Sequence, residues 1–189
     1  MQRNIMTRKA LARNKNGKGT GALPKNVYVI IFIIVLVSVF LCLFKTPALV
    51  AKDFFTDEYL KSWLIKDGDK FTIAYTHSVE LCPVTESYLI KDNKIILTET
   101  YFESYGAGLP ATTPYTFEFK DKGFLIYNIN EVIDNLIYRT GAVRANHELI
   151  YKGKSYKFLS FSKPRTGIVF KIKKVSLLAY IVRECFNER

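Results

Sequence analysis

Residues 71–90, FTIAYTHSVELCPVTESYLI, carry the pattern that decides the fold. Large apolar side chains at Phe71, Ile73 and Tyr75 alternate with small or polar ones, and a similar alternation resumes at Val84. A period of two is the spacing of side chains on one face of a β-strand. The stretch therefore predicts two half-buried strands that pair as a hairpin.

The same pattern of short strands continues to the last strand, Gly167–Lys173, with turn residues between the runs. Evenly spaced short strands predict an all-β domain, a small antiparallel β-sandwich or barrel, over residues 64–174. After it, apolar residues recur at spacings of three and four, which predicts a short C-terminal amphipathic helix over residues 175–189. Before it, residues 45–63 have a mixed pattern, and we expect a stalk or short helix there.

An uncharged apolar run, VYVIIFIIVLVSVFLCLF, occupies residues 27–44. As a helix it would extend roughly 27 Å, close to the thickness of a bilayer's hydrocarbon core. A cleaved signal peptide is the alternative, but its apolar region is usually only about 7–15 residues long. The length favours an uncleaved transmembrane anchor.

The chain has 28 Lys and Arg against 17 Asp and Glu, a net charge of +11. Much of this excess lies in residues 1–26, a flexible tail that contains seven basic and no acidic residues. The positive-inside rule predicts a single-pass protein of the cell membrane, with this tail in the cytoplasm and the C-terminal domain outside. The tail is expected to lie near lipid headgroups, and no nucleic-acid partner is predicted.

An ordered set of motifs resembles the domain of unknown function 1850 family. The motifs are FTIAYTHSVE (71–80), PVTESY (83–88), ESYGAGLP (103–110), RTG (139–141), His147 and KPRTG (163–167). The resemblance covers roughly residues 64–173. It implies an extracytoplasmic accessory role beside the TAXI class of TRAP transporters, with the solute receptor or the permease as partner.

His77, Glu80 and Glu86 form the first candidate site. In the predicted hairpin Tyr75 lies opposite Glu86 and His77 lies near Val84, so the imidazole and the Glu86 carboxylate would come within hydrogen-bonding reach. Three explanations fit such a pair: two polar groups that satisfy each other, a ligand or partner contact, and acid–base catalysis.

Two further groups complete the candidate contacts. Tyr105, Gly106 and Gly108 belong to a glycine loop whose backbone amides would face an anion, or which serves as a tight turn. Arg139 and Arg165, with Arg144 and His147 nearby in sequence, form the other group. A guanidinium pairs with both oxygens of a carboxylate, so these arginines suit an acidic solute or an acidic patch of a partner. Solvated surface arginines are the simpler explanation.

The sequence therefore predicts a membrane-anchored extracytoplasmic binding protein, and the resemblance implies that it acts in a solute-uptake system. The alternative is an extracytoplasmic enzyme that uses His77 and Glu86 as acid and base. No cofactor or metal is predicted, because the scattered ligands lack a close HxH or CxxC spacing. The sequence allows two states for Cys82 and Cys185, a disulfide between them or two free thiols.

Overall fold

The computed structural model describes residues 24–104, 112–141 and 144–187. Its elements are α1 (Lys25–Leu43), β1 (Lys45–Asp53), β2 (Tyr59–Leu64), β3 (Lys70–Thr76), β4 (Pro83–Lys91), β5 (Lys94–Phe102), β6 (Thr116–Lys120), β7 (Gly123–Val132), β8 (Leu136–Arg139), β9 (Glu148–Tyr151), β10 (Lys154–Lys157), a 3-10 turn (Phe158–Ser160), β11 (Gly167–Ser176) and α2 (Leu177–Asn187). The protein is thus mostly antiparallel β-structure with a helix near each end of the described chain.

The chain divides into two units at Val37. Helix α1 has 19 residues and no buried side chain. Among the described residues it is the one helix long and apolar enough to cross a membrane, a property that membrane anchors and signal sequences share.

The strands form two open sheets. The smaller has four strands in the order β2-β1-β11-β8, and the larger has seven in the order β10-β9-β3-β4-β5-β7-β6. All neighbours within each sheet are antiparallel. Of the two architectures that the sequence predicts, the sandwich is the one formed, since neither sheet closes into a barrel.

The main core lies between the two sheets. The smaller sheet contributes Leu49, Trp63 and Phe170, and the larger contributes Phe71 and Leu149, all at most 4% exposed. The alternation predicted for β3 places its large side chains on this inner face. Burial of apolar surface between the sheets is the main stabilising term for such a domain.

Residues 45–63, expected to be a stalk or short helix, instead form β1 and nearly all of β2. In β1 the four consecutive residues Ala48–Ala51 are at most 3% exposed. Both faces of this strand are therefore buried, which removes the period of two that would have revealed it. The β domain begins at Lys45 and not near residue 64.

The segment 132–139 is divided between the two sheets. Strand β7 ends at Val132 in the larger sheet, and β8 begins at Leu136 in the smaller. Between them the Ile133 N–H donates to the Ile95 carbonyl at 2.8 Å. The chain crosses from one sheet to the other here, so a pattern that is continuous in sequence serves two sheets.

The predicted C-terminal helix is present, and a polar residue of it contacts the smaller sheet. Glu184 accepts hydrogen bonds from the Tyr59 hydroxyl at 2.9 Å and the Lys61 ammonium at 3.0 Å. Its neighbour Arg183 lies over the Tyr59 ring, 4.6 Å from the centroid. Two of the apolar residues whose spacing predicted this helix, Ile181 and Val182, remain exposed.

Candidate functional site

A cleft of about 440 Å³ opens on the inner face of the larger sheet, beside the main core. Its floor belongs to a second apolar cluster, which includes Val84, Ile126 and Ile129. None of the residues that line it in the described chain comes from a strand of the smaller sheet. The cleft exists because four strands cannot cover the inner face of seven.

The lining combines this apolar floor with a rim of polar side chains. The residues are Tyr75, His77, Val84, Glu86, Leu97, Thr100, Thr112, Thr113, Pro114, Tyr115, Ile126, Ile129 and Glu131. Apolar walls with a few convergent polar groups are typical of small-molecule sites. The volume is within the range of such pockets, about 300–1,000 Å³.

Glu86 occupies the border between the cleft and the main core. It follows Val84 and precedes Tyr88 on the inward face of β4, and both neighbours are buried. The Tyr138 hydroxyl, from β8 of the opposite sheet, donates a hydrogen bond to Oε2 of Glu86. The Tyr88 hydroxyl lies 3.2 Å from the same oxygen and 2.7 Å from the Tyr138 hydroxyl. The carboxylate is therefore held in one orientation by groups from both sheets.

This arrangement keeps the surrounding phenols protonated. Burial, and then the electrostatic influence of Tyr88 and Glu86, raises the pKa of Tyr138 far above its usual value. Burial and the Glu86 carboxylate likewise raise the pKa of Tyr88 and of Tyr75. The hydroxyls act as hydrogen-bond donors and not as acids near neutral pH.

His77 lies immediately after β3 and lines the same cleft as Glu86, but no hydrogen bond or ion pair joins the two among the described contacts. The register differs from the prediction, since Ile73 and not Tyr75 is opposite Glu86. Nδ1 of His77 instead accepts a hydrogen bond from the Glu80 N–H at 3.2 Å. The predicted contact between His77 and Glu86 is wrong, because β3 and β4 pair in a register that is offset by two residues from the assumed one.

The other sequence candidates are more scattered. The Glu80 carboxylate accepts a hydrogen bond from the Ser104 hydroxyl at 3.3 Å, outside the cleft lining. Arg139 and Arg165 are exposed near one end of the smaller sheet and do not line the cleft. The loop residues Tyr105, Gly106 and Gly108 lie outside the described residues.

His147 lies within an aromatic cluster. Its ring stacks between Tyr75 and Phe158, with centroid distances of 5.0 and 5.4 Å. Its Nδ1 atom is buried and has no hydrogen-bond partner among the described residues. Burial lowers the pKa of His147 from 6.5 to about 4, so the ring is neutral near pH 7.

Glu131, Tyr115 and Thr100 are cleft residues that sequence reasoning missed. Tyr115 donates a hydrogen bond to the Glu131 carboxylate at the rim. The signal for Glu86 was its position among apolar residues on one strand face. Glu131 lies on an exposed part of β7, where a glutamate is common, and only the sheet order brings it into the same cleft as Glu86.

The cysteines and potential metal ligands are dispersed. Cys82 is buried in the second apolar cluster and Cys185 is exposed, and both are free thiols. In the part of the chain that the structure describes, no group of three or more His, Cys, Asp and Glu could hold a metal ion. The cleft is a candidate site for an organic ligand on the ground of its lining, which combines an apolar floor with a few polar groups.

Residues 71–158 match the family model described as domain of unknown function (DUF1850). The match runs from β3 to the 3-10 turn and includes His77, Glu86 and Glu131. It confirms, over these residues, the resemblance drawn from the motifs. No curated protein and no solved structure matches the chain.

Proposed function

We propose that the protein is a membrane-anchored extracytoplasmic binding protein whose β domain holds a small organic ligand in the cleft. The observation that carries this proposal is the convergence of His77, Glu86 and Glu131 over an apolar floor in a cleft of about 440 Å³. An apolar body is desolvated on such a floor, while the polar rim orients its functional groups.

The contacts of Glu86 favour binding over catalysis. An acid–base pair works when each member reaches the proton that it transfers, usually within about 3.2 Å. Here one Glu86 oxygen is held by two tyrosine hydroxyls and His77 is bonded to the Glu80 amide. Fixed side chains of this kind supply orientation to a ligand.

An extracytoplasmic enzyme that uses His77 and Glu86 as acid and base is the second candidate. The observation in its favour is that both side chains line one cleft. The two functions differ in outcome: an enzyme converts the molecule that occupies the cleft, and a binding protein returns it unchanged. Incubation of the purified protein with the molecule that it releases, followed by mass spectrometry, distinguishes them.

The anchor and its orientation are supported by charge and length. Residues 1–26 contain seven basic and no acidic residues, which favours a cytoplasmic position for this tail. Helix α1 has 19 residues, about 28 Å at the usual rise of about 1.5 Å per residue. The β domain, which follows directly, would then lie on the outer side of the membrane.

Association with a TAXI-class TRAP uptake system is supported by the family resemblance alone. Under this proposal the β domain contacts the solute receptor or the permease. Affinity purification of the full chain from membranes, with mass spectrometry of the proteins that co-purify, tests it. Recovery of a receptor or permease of that class above an untagged control is the expected result, and its absence contradicts the association.

The cleft itself is tested by filling it. Thr100 lies on the inner face of β5 and lines the cleft, whereas its neighbour Glu99 is exposed on the opposite face. We expect the full-length wild type, when denatured, to release a small molecule that Thr100→Trp lacks and that Glu99→Trp retains. Identical released molecules from all three proteins would contradict ligand binding in the cleft.

A further inference from the structure

We propose that the ligand is an organic cation, a protonated amine attached to a compact apolar body. This inference rests on the proposed binding function and adds the chemical class of the ligand. It is carried by the charges that line the cleft, by their hydrogen-bond partners and by the apolar floor beneath them.

The cleft is acidic within a basic chain. Its described lining contains two carboxylates, Glu86 and Glu131, and no Lys or Arg. The surrounding sequence has the same bias, because residues 71–90 and 95–119 contain no Lys or Arg although the chain holds 28 of them. An anionic ligand would therefore face two carboxylates without a Lys or Arg to compensate them, which is unfavourable where solvent screening is reduced.

Both carboxylates are held by neutral groups. The ion pairs of the described chain are Lys52–Asp57, Lys61–Glu184 and Lys152–Asp69, and none of them involves the cleft. Glu86 accepts hydrogen bonds from Tyr88 and Tyr138, and Glu131 accepts one from Tyr115. Phenol hydrogen bonds orient a carboxylate without cancelling its charge, and a carboxylate has about four acceptor positions, so capacity remains for an ammonium donor.

The lining also argues for an organic cation over a metal ion. The floor consists of aliphatic side chains, among them Val84, Leu97 and Ile126, which offer no metal ligand. They suit a hydrocarbon body of a ligand, because the burial of apolar surface is favourable. The rings of Tyr75 and Tyr115 line the same space and can interact with a cation through their faces.

The test uses three compounds that share one apolar body: phenethylamine, 3-phenylpropionate and 2-phenylethanol. Each is titrated by calorimetry into the full-length protein in phosphatidylcholine nanodiscs, with empty nanodiscs as the blank. We expect the amine to bind at least tenfold more tightly than the acid, with the alcohol between them. Equal or tighter binding of the acid overturns the cation proposal, as does failure of the amine to bind.

Two variants and one control locate the effect. Glu86→Gln is expected to weaken amine binding at least tenfold, and Glu131→Gln, at an exposed position where folding is not at risk, several-fold. Glu99→Gln, on the opposite face of the same sheet, should leave it unchanged. An effect of Glu99→Gln equal to that of both cleft variants would contradict the assignment.

The molecule released by the wild type separates this inference from the proposed function. A molecule that is lost in Thr100→Trp and carries a basic nitrogen supports both. A molecule that is lost in Thr100→Trp but has no basic nitrogen overturns the cation proposal and leaves the binding function standing. If Thr100→Trp loses no molecule and no compound binds, both are overturned.

Discussion

At the level of single residues, His147 makes the stability of the domain depend on pH. Burial lowers its folded-state pKa to about 4, whereas the unfolded chain binds the proton near 6.5. The unfolded state therefore binds more protons between these values, and stability is lost as the pH falls from 6.5 to 4. A pKa change from 6.5 to about 4 corresponds to roughly 3 kcal/mol of unfolding free energy. Because part of the ring is exposed, solvent screening reduces this effect, and we expect a loss on the order of 1–2 kcal/mol.

Denaturant unfolding of the full-length protein at pH 7.5, 5.5 and 4.5 measures this loss. His147→Phe keeps a ring between Tyr75 and Phe158 but cannot titrate, so its stability should depend less on pH than that of the wild type. His77→Asn removes the other histidine of the chain and is the matched control. Equal pH dependence in wild type and His147→Phe would show that His147 is not responsible.

His77 is a second residue whose role can be separated into stability and binding. Its Nδ1 accepts one hydrogen bond from the Glu80 amide in a part-buried loop, and its side chain lines the cleft. We expect His77→Ala to lower the free energy of unfolding by about 0.5–1.5 kcal/mol, the usual contribution of one such bond. It should also reduce the amount of co-purifying ligand per folded molecule.

His77→Asn provides the control, because asparagine can still accept a hydrogen bond from a nearby backbone amide. We expect the free energy of unfolding of His77→Asn to return toward the wild-type value, while the amount of ligand that it retains stays low. If His77→Ala instead lowers stability strongly and retains the ligand at the wild-type level, His77 is only a structural residue.

At the level of elements, Glu184 connects helix α2 to the smaller sheet through hydrogen bonds. Its carboxylate accepts hydrogen bonds from Tyr59 and Lys61, and the Lys61 and Glu184 side chains are 14% and 17% exposed. Removal of the carboxylate leaves a half-buried ammonium without its partner. We expect Glu184→Ala to lower the free energy of unfolding by about 1–3 kcal/mol and to increase hydrogen exchange in α2.

Glu118→Ala, at an exposed position of the edge strand β6, is the comparison for this change. A surface substitution of this kind usually alters stability by less than about 0.5 kcal/mol. Unchanged exchange of α2 amides in Glu184→Ala would mean that the apolar contacts of the helix hold it without Glu184.

At the level of the whole molecule, the orientation proposed from charge has a direct test. Protease is added to intact cells stripped of their wall, with one epitope at Met1 and another at Arg189. We expect the C-terminal epitope to be removed and the N-terminal one to be spared, because a basic segment that flanks a membrane span is usually retained in the cytoplasm. Protection of the C-terminal epitope would overturn the extracytoplasmic location of the β domain.

Local patterns in the sequence were enough to predict most of the secondary structure. The alternation in residues 71–90 predicted β3 and β4, and the spacing of three and four predicted α2. Such patterns succeed where one face of an element is buried and the other is not. Strand β1 was missed because it is buried on both faces, so its residues 48–51 carry no alternation.

The cleft, in contrast, was decided by the tertiary structure. Alternation showed that Glu86 shares a strand face with buried residues, but the partner that holds it, Tyr138, comes from the other sheet. Glu131 reaches the same cleft because β7 pairs with β5, which in turn pairs with β4. Local periodicity determines which face a side chain occupies, whereas strand order and the packing of unequal sheets determine which side chains meet.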